Sequence, residues 1–193
     1  MKTQSQRTQY LVQGAMIAAI YTVLTLLAAL ANLAYGPVQF RFSEALTILP
    51  VFTPAAIPGL AIGCLLSNIW SGYGAADMVF GTLATFLAAI STRMVRNIRI
   101  KKIPVLAPLP PVLFNAVIVG LEIAVLSMKG FSWTGLWTAA LSGGVGELMK
   151  GFSWAGFWAA ALSVGAGELV ICYGLGLPLA AALQEIGKRR KLF

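Results

Sequence analysis

The chain has 193 residues, of which 59% are hydrophobic and only 10% charged, and its mean hydropathy is +0.83. That leaves too little polar surface to cover a water-soluble globule and places the protein in a membrane. The net charge of +8 does not point to nucleic acid, because eleven of the 14 basic residues stand in three clusters beside apolar segments.

Those clusters are Lys2 with Arg7; Arg93, Arg96, Arg99, Lys101 and Lys102; and residues 188–191. They have the layout of cytoplasm-facing topology signals in contact with anionic lipid, not of a groove that tracks phosphates. Cys64 and Cys172 lie inside apolar segments and there is no histidine, so neither a disulfide framework nor a zinc site is expected. The alternating pattern of a membrane barrel is missing. No phosphate-cradling loop, nucleophile elbow or metal-ligand pair occurs, so no cofactor and no enzymatic activity are expected. If ATP drives this protein, another subunit binds it.

The first apolar segment, residues 10–34, exceeds the roughly 20 residues that cross a ~30 Å hydrocarbon core and is too long for a signal-peptide core. A retained helix is predicted. Gly14 with Ala18, and Ala15 with Ala19, make a smooth stripe on it, and Gly59 with Gly63 make another further on. Such spacing lets a second helix approach closely, within the chain or in a partner.

Next comes YGPVQFRFSEAL, residues 35–46, which sets Arg41 and Glu44 three apart between two apolar segments. An ionisable residue at membrane depth is costly unless it is paired or used, which makes both residues site candidates. The plainer alternative is an ion pair that staples a loop. Helices are predicted at 43–53, 55–71 and 76–96. The first of these is too short to span alone, and Pro50, Pro54 and Pro58 break it from the next, predicting a bent hairpin. Irregular backbone at that depth needs cover from protein or a cavity.

A fifth helix is predicted at 109–127. Keeping all three basic clusters on one side requires an even number of crossings between them, with the last helix ending near Lys188. In between, MKGFSWTGLWTAALSGGVGEL at 128–148 is followed at once by MKGFSWAGFWAAALSVGAGEL at 149–169, identical at sixteen of 21 positions. Two copies do not make a solenoid. The second runs straight into VICYGLGLPLAAALQEIGKRRK and is expected to start the sixth helix. The first would break the even count, so residues 131–148 are expected to form an extra helix at the outer interface or folded beside helices five and six. Its apolar face would hold Trp133, Leu136, Trp137, Ala140 and Leu141. The sequence leaves open the converse, in which the first copy takes the sixth place.

Five of the six acidic residues, Glu44, Asp77, Glu122, Glu147 and Glu168, lie in or at the edge of apolar segments. Counting about 1.5 Å per residue from the predicted helix ends brings Glu44, Asn68, Asp77 and Glu122 to one depth on the outer side, with Asn115 two turns deeper. Trp70, Tyr73, Phe40 and Trp154 are near that level and offer faces for a flat ligand. Carboxylates only accept, so a polar pocket built from them suits a solute rich in hydrogen-bond donors or carrying a cation. Taken singly, Asp77 is also explained as a helix cap, Asn115 as an interhelical hydrogen bond and the aromatics as an interface belt. The convergence argues for a site.

Taken in order, YGPVQFRFSEAL, TPAAIPGLAIGCLLSN, DMVFGTLATFLAA, PLPPVLFNAVIVG and GELVICYGLGLPLAAAL resemble the QueT family, the S components of energy-coupling factor transporters assigned to queuosine precursors. The resemblance implies one all-α integral membrane domain over residues 1–193. Its architecture would be a six-helix S-component bundle with short, proline-broken helices two and three and an extra duplicated segment before helix six. It also implies a plasma-membrane location with both termini and the basic loop at 93–104 in the cytoplasm. The partners implied are the lipid bilayer, an energy-coupling transmembrane subunit and two ATPase subunits, with Ala15 and Ala19, flanked by Gly14 and Ala18, at the docking face. For a 7-substituted deazaguanine, Glu44, Asp77 and Glu122 would accept, Asn68 and Asn115 would orient, Trp70 would stack and Glu168 would touch more deeply. Arg41 would orient Glu44 or gate the loop. The duplication departs from the family pattern and leaves open which of Glu147 and Glu168 holds the family position. An S component for another vitamin, a stand-alone proton-coupled transporter and a scaffold subunit are the competing readings.

Overall fold

The computed structural model describes residues 4–34, 39–100, 103–128, 132–142 and 149–190. They form α1 (Gln4–Leu30), a 3₁₀ segment (Phe42–Val51), α2 (Ala56–Asn68), α3 (Ala75–Met94), α4 (Leu109–Leu126), α5 (Trp133–Ser142) and α6 (Trp154–Ile171). A π turn (Cys172–Gly176) then leads into α7 (Leu177–Arg190). Among the described residues, four stretches are long and apolar enough to cross a membrane: Gln4–Leu30, Ala75–Asn97, Leu109–Leu126 and Trp154–Lys188. This is an all-α membrane bundle, and each predicted helix overlaps one of its elements.

α1 stops where Asn32 turns left-handed, at φ 55°. There the Leu33 N–H reaches the Ala28 carbonyl and the Asn32 N–H reaches Ala29, the paired bonds that close a helix C-terminus. Asparagine tolerates that conformation better than other residues with a side chain.

The second predicted helix is a ten-residue 3₁₀ segment, well beyond the three or four residues usual for that form. Its sequence accounts for this. In a 3₁₀ helix residues three apart eclipse, which sorts FSEALTILPV into three rows. Ala45, Ile48 and Val51 form one, and Ile48 and Val51 pack with Ala107 and Ala180. Leu46 and Leu49, in Ser43's row, pack on the core of Ile17, Tyr21, Ala56, Leu60, Cys64 and Ala89. Glu44, Thr47 and Pro50 form the third and are also buried. The carbonyls of Pro50 and Val51, left over at its end, accept Arg93 Nη1 at 2.9 and 3.3 Å.

Small residues set the helix spacings. A Cβ added at Gly59 would lie 2.7 Å from the Gly14 carbonyl oxygen, and one at Gly63 would lie 2.9 Å from that of Ala18. Gly14 and Ala18 therefore serve packing within the chain, while Ala15 and Ala19 remain exposed. Gly120 of α4 meets Ala161 of α6 in the same way, at 2.8 Å from its Cα.

The second copy of the duplication supplies α6, which lies along α4. Within the first copy, α5 occupies part of the stretch expected to form an extra helix, and Leu141 on it is exposed. The rest of that expectation, Phe131 and residues 143–148, lies outside the described residues.

Contacts along the chain sort the helix ends. Tyr10 OH donates to the Pro54 carbonyl, Thr92 Oγ1 to the Ala107 carbonyl and Arg93 to the end of the 3₁₀ segment. The start of α1 and the ends of α3 and α7 thus share one basic end. Arg41, Asn68 and Asp77 meet toward the other.

Candidate functional site

At that other end, Arg41 is held on two sides. Its Nε donates to the Ala34 carbonyl at 3.2 Å and its Nη2 pairs with Asp77 Oδ2 at 3.3 Å, both side chains being buried. The ion pair is not the sequence-adjacent one. Glu44 enters the 3₁₀ segment with its N–H on the Arg41 carbonyl, and its side chain turns to α1, where Tyr21 OH donates to Oε1. Backbone geometry at the segment's start thus separates two residues whose spacing suggested a staple.

Asp77 lies in the first turn of α3, where the helix dipole favours an anion. Its backbone carbonyl accepts Asn68 Nδ2 at 2.8 Å, which also reaches Cys64 Sγ at 3.4 Å. Gly81 makes the room. A Cβ there would lie 2.7 Å from Asn68 Nδ2 and 3.0 Å from Asp77 Oδ1. α4 brings Glu122, 5% exposed, into the field of Asp77 and Arg41. One layer deeper, Asn115 stands beside Glu168 of α6. Cys172, in the π turn, donates Sγ–H to Glu168 Oε2 at 3.4 Å and approaches the Glu44 carbonyl at 3.6 Å. Single π turns inside longer helices recur at functional sites because they re-aim side chains.

Seven of the eight ligand candidates are therefore buried, in two connected layers. Trp70 is not among them. It is 62% exposed just beyond the end of α2, where no further helical turn carries its ring inward. Trp154 is likewise exposed, and packs edge-on against Phe152 and Phe157. The sequence also suggested a pocket open to the outside. Gln39 and Arg41 are themselves buried beside the cluster, and Gln39 packs so closely on α6 that a Cβ at Gly167 would overlap its carbonyl oxygen.

Polar satisfaction is incomplete in this cluster. Among the described residues, Gln39 Nε2, Glu44 Oε2, Asn68 Oδ1, Asp77 Oδ1, Asn115 Nδ2 and both oxygens of Glu122 have no hydrogen-bond partner. Each such atom costs about 1–3 kcal/mol when buried and left unmet, so a cluster of them calls for an explanation.

Sequence reasoning missed four contributors: Tyr21, Thr25, Gln39 and Cys172. Thr25 Oγ1 donates to Ser43 Oγ at 2.7 Å, so it supports the turn that carries Glu44. Two hydroxyls one turn apart inside an apolar helix were the available signal, as was a glutamine three residues before Glu44's apolar run.

Residues 11–185 match the model of the QueT transporter family. The chain belongs to that family. A curated relative from Lactococcus lactis subsp. cremoris (strain MG1363), named Queuosine precursor transporter QueT, is 36% identical over 84 residues, which is 44% of this chain and 49% of that protein. The match thus spans about half the length of the relative. No solved structure matches.

Proposed function

We propose that this QueT-family chain is the solute-capturing membrane subunit of an ATP-driven uptake transporter of the energy-coupling factor type, and that its solute is a queuosine precursor, a 7-substituted deazaguanine. One observation carries the reading. Within this cluster, the buried atoms without partners among the described residues are unbalanced: five acceptors, on Glu44, Asn68, Asp77 and Glu122, against two donors, Gln39 Nε2 and Asn115 Nδ2.

A deazaguanine offers the complement. Its ring and exocyclic amine present several N–H donors, its single carbonyl takes an amide N–H, and an aminomethyl substituent adds a cation. Four carboxylates around one guanidinium give the site a formal surplus of negative charge for that cation, and charge-assisted bonds are the strong ones. Glu168 and Asn115 form the floor, and Arg41 with Gln39 forms the cover. The name of the Lactococcus relative supports the same substrate class.

The outward faces support the rest of the proposed assembly. Ala15 and Ala19 line an apolar groove of about 520 Å³ between α1 and α2, suited to a helix of an energy-coupling transmembrane subunit that carries two ATPase subunits. The basic end faces the cytoplasm, with both termini and the basic loop at 93–104, and the protein resides in the plasma membrane as a multi-pass domain.

The test is to purify the chain from cells supplied with 7-aminomethyl-7-deazaguanine and identify released small molecules by mass spectrometry. Retention of that compound is expected, with loss in Glu44→Gln and Asp77→Asn. Retention of an unrelated vitamin alone, or of nothing, would sink the proposal.

A further inference from the structure

A cavity of about 630 Å³ opens at the end of the bundle opposite the carboxylates, between the end of the 3₁₀ segment, the end of α3 and α7. Arg93, Arg96, Arg99 and Lys188 line it, and among the described residues no acidic side chain does. Glu185, on the same helix as Lys188, lies outside the lining and is exposed.

Positive charge at the cytoplasmic ends of helices is ordinary, so charge alone assigns nothing. Three further features do. Arg93 is anchored at the wall by its bonds to the Pro50 and Val51 carbonyls, which hold one cation in place. Gln184 Nε2, also on the wall, is a buried N–H donor without a hydrogen-bond partner among the described residues. A donor left unmet among four cations calls for an anion with acceptor oxygens. Finally, exposed apolar side chains stand next to lining residues in the chain: Met94 at 77%, Ile98 at 50%, Ile100 at 60% and Ile186 at 50%. A soluble anion has no use for them, whereas acyl chains do.

We propose that this cavity binds the phosphate of an anionic phospholipid headgroup, with Arg96, Arg99 and Lys188 around the charge, Gln184 donating to a phosphate oxygen and the acyl chains lying against Met94, Ile98 and Ile186. Basic pockets between helix ends on the cytoplasmic side suit such headgroups. The lipid joins the 3₁₀ segment, α3 and α7, the same elements that carry Glu44, Asp77 and, through the π turn, Cys172.

The full chain in mixed micelles of phosphatidylglycerol and phosphatidylcholine tests this, with retained lipid counted by native mass spectrometry. The wild type retains phosphatidylglycerol selectively. The double variant Arg99→Gln, Lys188→Gln lowers retention by at least tenfold, at roughly fivefold per cation removed. Gln184→Ala lowers it severalfold without changing the charge. Lys2→Gln with Arg7→Gln, which removes equal charge from the N-terminal basic cluster, leaves it within twofold. Equal retention by wild type and the Arg99, Lys188 variant overturns the proposal, as does an equal loss in the Lys2, Arg7 control. Displacement of the lipid by millimolar inorganic phosphate overturns the lipid as the source. Unchanged lipid retention with lost co-purification of an acidic protein also overturns it, in favour of a protein partner.

Discussion

Two stretches of this protein have nearly the same sequence and different positions in the fold. Residues 128–148 and 149–169 agree at sixteen of 21 positions, and both start a helix at the same repeat position, Trp133 in one and Trp154 in the other. The second copy becomes α6, buries Phe157, Ala161, Val164, Gly167 and Glu168, and carries part of the polar cluster. The first contributes α5, ten residues long, on which Thr134, Thr138 and Leu141 are exposed. Local propensity cannot separate them. Connectivity does, since only the second continues directly into the π turn and α7, and so do two of the five differences. Val164 is 1% exposed in the core with Ala84 and Val119, and Phe157 packs on Ala124 and Ala161. The first copy has Gly143 and Leu136 at those positions, so it has less apolar bulk to fill the same space.

Deletions break this comparison most directly. Removing residues 128–148 keeps α6 as it is, and stability in detergent is expected to stay at the parental level. Removing residues 149–169 leaves a chain of the same length in which Gly143 and Leu136 must fill the places of Val164 and Phe157. A buried Val replaced by Gly in mid-helix and a Phe replaced by Leu together cost roughly 4 kcal/mol. Thermal unfolding of the two deletion proteins side by side measures it. Equal stabilities would mean that the copies are interchangeable and that the core at Val164 does not decide between them.

The acidic residues sharpen the comparison at the level of function. Glu168 stands beside Asn115 and Cys172, whereas Glu147, its counterpart in the first copy, lies outside the described residues. Glu168→Gln is expected to weaken binding of 7-aminomethyl-7-deazaguanine by about thirtyfold, equivalent to about 2 kcal/mol for one charged hydrogen bond. Glu147→Gln should leave the affinity unchanged. Calorimetric titration of both variants decides, and equal losses would place the first copy at the site.

What the sequence made legible follows the same division between local and tertiary. Apolar lengths and the basic clusters located the helices because each reports on one segment alone. The depth count brought Glu44, Asn68, Asp77 and Glu122 to one end because helix rise is nearly constant. Partners were not legible. Arg41 chose Asp77, 36 residues away, over Glu44, because the 3₁₀ segment rotates Glu44 toward Tyr21. Trp70 falls beyond the last turn of α2 and is 62% exposed, which a count along the axis cannot supply.

The smallest expected effect tests whether the two copies really share their local chemistry. Ser132 Oγ accepts the Gly135 N–H at 3.0 Å, and Ser153 Oγ accepts the Gly156 N–H at 3.1 Å. These are the same N-cap bond in each copy, and replacing such a serine by alanine costs about 1 kcal/mol of helix-start stability. Where that loss shows up differs. Ser153→Ala weakens a helix that packs along α4, so it is expected to lower the global unfolding temperature. Ser132→Ala weakens only α5, so the global transition should hold while amide exchange over residues 133–142 quickens severalfold. A drop in the global transition for both variants would show that α5 is joined to the bundle as firmly as α6, and the contrast between the copies would then lie in their side chains and not in their packing.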